Sequence, residues 1–113
     1  MIDFRYEESV EDVKYMFDMP HQEYSTIDGS EIDGIENAYF YASNDDEPNM
    51  FYDVLAVAVY EAKHNILSEK IKNQFIDYAD RFDKGEFQPD MMPEDIPIVA
   101  KDIEYVRSKL KSI

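Results

Sequence analysis

Residues 48–64 read Pro48-Asn49-Met50-Phe51-Tyr52-Asp53-Val54-Leu55-Ala56-Val57-Ala58-Val59-Tyr60-Glu61-Ala62-Lys63-His64. The middle, Val54 to Tyr60, is apolar all round a helical wheel. A helix of that kind sits at the centre of a fold and is covered on most sides. The valines make a buried strand the rival reading, but the stretch with its flanks is too long for one. Asp45, Asp46 and Glu47 stand just ahead of it, where acids complement the helix dipole. Pro48 suits an early helical position. The stretch predicts a helix over 48–64, and the rest of the chain is read around it.

Downstream, Asn65 can cap a second helix over about 66–84. Leu67, Ile71, Phe75, Tyr78 or Ala79, and Phe82 mark its apolar face. Gly85 stands where a C-terminal cap glycine belongs. Residues 86–93 hold two prolines and read as a loop. A last helix follows over about 95–112, with Val99, Ile103, Val106, Leu110 and Ile113 at alternating spacings of four and three. That stripe is expected to face the core rather than a dimer seam, since so small a domain needs the helix for its own core. Its final turns carry Arg107, Lys109 and Lys111, which suit the negative end of the dipole.

Upstream, residues 9–18 predict a short helix. Ser9 and Asp12 resemble a capping box, Val10, Val13 and Phe17 follow at helical spacing, and Met19-Pro20 ends it. Residues 2–6 alternate apolar and polar, as a short strand would. Residues 21–34 read as loop or hairpin, with Asp28-Gly29 and Asp33-Gly34 as turn signals. Ile35 to Ala42 contains Ala-Tyr-Phe-Tyr-Ala, a strand by aromatic content. The expected architecture is mostly α. It is a single domain over 1–113, with an acidic part over 1–47 and a helical part over 48–113. Three long C-terminal helices are joined by a short N-terminal helix, with room for a small two-stranded β element.

The 113 residues carry 26 acids and 11 bases, for a net charge of −15. That excess argues against direct binding to nucleic acid or anionic lipid, whose phosphates it repels. There is no cysteine, so disulfides, thiol nucleophiles and cysteine-type zinc sites are excluded. Met1 to Glu7 lack the basic start and apolar run of a signal peptide, and Val54 to Tyr60 is too short to cross a bilayer. The expected location is the cytoplasm.

Chemical motifs are missing. Only Gly29, Gly34 and Gly85 exist, so no glycine loop can cradle a phosphate. No nucleophile elbow occurs. His21 and His64 lie in separate segments, neither with a histidine four residues on. An EF-hand fails at Gly34 and at Gly29, because its first position would be Gly29 or Tyr24, neither of which offers a carboxylate. No catalytic residue, cofactor or metal is expected, and the chain does not read as an enzyme.

The charge is uneven. Residues 1–50 hold 14 acids and two bases, net −12; residues 51–113 hold 12 acids and nine bases, net −3. From Glu23 to Glu47 there are eight acids and no base. Tyrosines are interleaved there, and tyrosine offers large contact area at little loss of rotamer freedom. Acids steer encounter with a basic partner. An acidic run also serves solubility, but its concentration in one half favours docking. The candidate partner-binding residues are Tyr24, Asp28, Glu31, Asp33, Glu36, Tyr39, Tyr41, Asp45, Asp46 and Glu47. Phe40 is divided between core and interface.

The stretches Asn49-Met50-Phe51-Tyr52-Asp53-Val54-Leu55, Phe75-Ile76-Asp77-Tyr78 and Phe82-Asp83-Lys84-Gly85-Glu86-Phe87 make a helix-loop-helix pattern. With the size, acidity and lack of cysteine, it resembles bacterial immunity proteins of bacteriocin and contact-dependent growth inhibition systems. The resemblance implies a stoichiometric inhibitor whose acidic face plugs or covers the active site of a basic toxin nuclease domain; a monomer is expected. It carries over no individual residue. Phe51 to Val57 also resembles a helix of phage DNA-mimic proteins that block DNA-binding enzymes. A mimic needs carboxylates spaced like phosphates along its length, and Lys101, Arg107, Lys109 and Lys111 interrupt any such array in the last helix.

Overall fold

The computed structural model describes residues 5–23, 36–37, 39–40 and 47–111. Among the described residues the long helices are α1 (Tyr6–Glu23), α2 (Glu47–Lys63), α3 (Glu69–Asp83) and α4 (Asp95–Lys111). A short 3₁₀ turn, Gln88–Asp90, lies between α3 and α4. No strand occurs among the described residues.

The apolar stretch is the centre of the molecule. Every residue from Phe51 to Ala62 is buried, and α2 packs against α1, α3 and α4. Each partner contributes one stripe. Tyr6, Val13 and Phe17 come from α1; Ile71, Phe75, Ala79 and Phe82 from α3; Val99, Ile103 and Val106 from α4. Val99, Ile103 and Val106 of the α4 stripe are therefore core of this chain, Leu110 is partly buried against it, and Ile113 lies outside the described residues. Phe51 stacks on Phe87 at 4.4 Å between ring centroids, and the Arg81 guanidinium covers the outer side of Phe87 at 4.9 Å.

The ends of the helices show which local signals operate. Asn65 does not cap the next helix. It takes φ +59° and closes α2. The Ile66 N–H bonds the Glu61 carbonyl at 2.9 Å, and the Asn65 N–H bonds that of Ala62 at 3.3 Å, the paired bonds of a Schellman motif. Ser68 caps α3 instead, its Oγ accepting from the Ile71 N–H at 3.2 Å. Gly85, at φ +81°, closes α3 in the same paired fashion, with Glu86 bonding Arg81 and Gly85 bonding Phe82.

The β element is a correction. Tyr6 opens α1 rather than ending a strand, and Glu36, Asn37, Tyr39 and Phe40 are helical. Glu36 and Tyr39, three apart and so on one helical face, are both buried. In a strand they would point to opposite sides. Residues 1–4 and 24–34 lie outside the described residues.

Helix α1 is also longer than expected at both ends. It continues through Met19-Pro20 to Glu23, so His21 to Glu23 are helix rather than loop. Ser9 is not a cap but lies a turn inside, fully buried, donating its Oγ to Asp53 at 3.1 Å. The α1 start is held from another helix: the Tyr6 N–H, one of the donors that a helix leaves unpaired, bonds the Asp95 carboxylate at 3.1 Å.

Candidate functional site

Among the described residues, four carboxyl side chains are buried: Glu36, Asp53, Glu61 and Asp95. Burying a carboxylate is costly unless donors surround it. Asp95 opens α4 and accepts from the Tyr52 hydroxyl at 2.9 Å as well as from Tyr6 N–H, so it ties α1, α2 and α4 at one point. Burial and the nearby Asp95 carboxylate lift the Tyr52 phenol far above its ordinary range. Burial and Asp102 do the same to Tyr6, whose hydroxyl donates to Asp102 at 2.7 Å. Asp53 accepts from Ser9 and from the Tyr39 hydroxyl at 2.8 Å.

Glu36 and Glu61 converge on Ser68. The Ser68 Oγ donates to Glu36 Oε2 at 2.7 Å, and the Ser68 N–H donates to Glu61 Oε1 at 3.0 Å. The remaining oxygens, Glu36 Oε1 and Glu61 Oε2, are buried with no donor from other residues. Burial pushes the Glu61 carboxyl up to about 9, with the Glu36 carboxyl beside it adding to the rise. Glu61 thus keeps its proton at neutral pH.

These networks account for two of the sequence-derived docking residues. Glu36 is 0% exposed and Tyr39 is 4% exposed, so neither lies on an outer face. Both looked like surface because acids and tyrosine tips usually are. Their partners, Ser68 and Asp53, come from elements distant in sequence. Glu47 opens α2. Tyr24, Asp28, Glu31, Asp33, Tyr41, Asp45 and Asp46 lie outside the described residues. Phe40 is half-buried against the core.

An exposed acidic and aromatic face does exist on α1. Glu7, Glu8, Glu11 and Asp12 are exposed, and Tyr15 is 67% exposed. At about 100° per residue, Glu8, Glu11, Asp12 and Tyr15 fall within an arc of roughly 100°. That arc lies opposite the Tyr6, Val13 and Phe17 stripe. The signal was available in the sequence: Tyr15 falls off the apolar spacing of Val10, Val13 and Phe17.

Among the described residues, no three His, Asp or Glu side chains are grouped to hold a metal ion. No described helix is long and apolar enough to cross a membrane. Comparison with protein families, with curated proteins and with solved structures finds no match to this chain.

Proposed function

We propose that this protein is an immunity-type inhibitor that binds a cationic, nuclease-type toxin domain one to one, without catalysis. The observation that carries the reading is the outer face of α1. It sets three exposed carboxylates, Glu8, Glu11 and Asp12, around a tyrosine that the core does not use, with the exposed Glu7 beside them. Carboxylates at that density raise the rate of encounter with a basic surface, and an exposed tyrosine supplies an anchor on contact. The acid strip over 23–47 extends the same charge along the chain. A nuclease active site is basic because it must hold phosphates.

The DNA-mimic reading is the weaker one. In α4, Arg107 sits amid acids, 2.6 Å from Asp83 and 3.4 Å from Glu104. Such pairing breaks up a phosphate-like array. Capture of the tagged protein's binders from lysate of its source cells, with and without competing duplex DNA, separates the two. An inhibitor retains one basic nuclease domain in stoichiometric amount. A mimic retains several unrelated DNA-binding proteins, which duplex releases.

A further inference from the structure

A groove of about 480 Å³ runs between α1 and the C-terminal half of α2. Its floor is Val10, Ala56, Val59 and Tyr60. Lys14, Lys63 and His64 stand around it, and none of the described residues lining it is acidic. In a chain of net charge −15 this is an unusual local balance. Lys14 and Lys63 are exposed and form no ion pair among the described residues; the Lys63 ammonium has only the Tyr105 ring of α4 beneath it, 6.0 Å from the centroid, and stays open to an anion on its other side. Nor do the final carbonyls of α2 need Lys63. Those of Tyr60, Glu61 and Ala62 already accept from the N–H groups of His64, Ile66 and Asn65. The His64 ring stacks on Tyr60 at 4.3 Å, which extends the flat apolar wall toward the rim.

We propose that this groove binds a small amphiphilic anion. The apolar body lies along Val10, Val59 and Tyr60, and a single anionic head group sits between Lys14 and Lys63. A medium-chain aliphatic carboxylate is the simplest molecule of this class. The volume falls within the range of small-molecule pockets, which begins at about 300 Å³. Desolvation of the apolar body against the floor supplies binding, and the two ammonium groups select the sign of the head. This site does not depend on the docking of a basic protein, because it uses neither the acidic arc nor Tyr15.

The full chain is titrated with decanoate and followed by backbone amide NMR and calorimetry. Decylammonium serves as the opposite-charge control, and the Lys14→Gln/Lys63→Gln double variant is run alongside. Both lysines are exposed, so circular dichroism of the double variant should match the parent. The expected result is saturable, one-site binding of decanoate with shifts centred on Val10, Lys14, Val59 and Lys63. Binding is weakened about tenfold or more in the double variant and for decylammonium. Non-saturable binding, shifts centred elsewhere, equal binding of decylammonium or an unaffected double variant would each overturn the assignment. Sedimentation with phosphatidylglycerol vesicles separates a free anion from a lipid surface. The chain is expected to stay in the supernatant, and pelleting without decanoate binding also overturns the proposal.

Discussion

Glu61 is the residue at which charge and fold conflict most directly. Its folded carboxyl stands at about 9 against an ordinary 4.5, because it is buried beside Glu36. Below the ordinary value, the folded and unfolded chains both hold the proton and the stabilising contribution is complete. Between there and about 9 only the folded chain holds it, so stability falls as pH rises through that window. One proton corresponds to a slope of about 1.4 kcal/mol per pH unit. Glu61→Gln keeps the shape, and its amide can donate to Glu36. Denaturant titrations at about pH 5, 7 and 9 should give the variant a flatter profile than the parent. Parallel profiles would mean that Glu61 does not carry the proton. Tyr15 is the opposite case. Its exposed ring packs on nothing in the core, so Tyr15→Ala should change unfolding free energy by less than about 0.5 kcal/mol. The same variant should lose about 2 kcal/mol or more of partner affinity. The contrast shows what was legible at this scale. Tyr15 could be placed outside from its spacing alone. Glu36 and Tyr39 could not be placed inside, because the groups that satisfy them are 32 and 14 residues away.

Among the elements, α2 declared itself because an all-round apolar helix has only one place to go. Its closure by Asn65 was harder to read. Asparagine serves both as an N-cap and as a left-handed C-terminal residue, and Ser68 three residues on was the better cap. The start of α1 was illegible for a different reason. It is capped by Asp95 across the fold, and no local window contains both partners. The segment around Tyr39 was misread as strand from its aromatic content, when the helical pairing of Glu36 with Tyr39 decides it. The centrality of α2 has a measurable consequence. Leu55 is 1% exposed at its middle, with α1, α3 and α4 packed against the same helix. Leu55→Ala should cost about 2–5 kcal/mol by chemical denaturation, because packing on several sides leaves the cavity little room to collapse. A loss under about 1 kcal/mol would argue that α2 is less enclosed than described.

Across the whole molecule, burial redistributes the charge that the sequence counts. Glu36, Asp53, Glu61 and Asp95 serve the interior, while the outer face of α1 keeps its carboxylates in water. Steering therefore depends on the exposed set and not on the net charge of −15 alone. The most direct test is the association rate of the purified, captured partner with the parent chain and with a Glu7→Gln/Glu8→Gln/Glu11→Gln/Asp12→Asn variant, measured over a range of ionic strength. All four side chains are exposed, so the variant should fold as the parent does. The predicted result is association slowed about tenfold at low salt, with the two rates converging as salt screens the field. Equal rates at every ionic strength would contradict docking through the acidic face of α1.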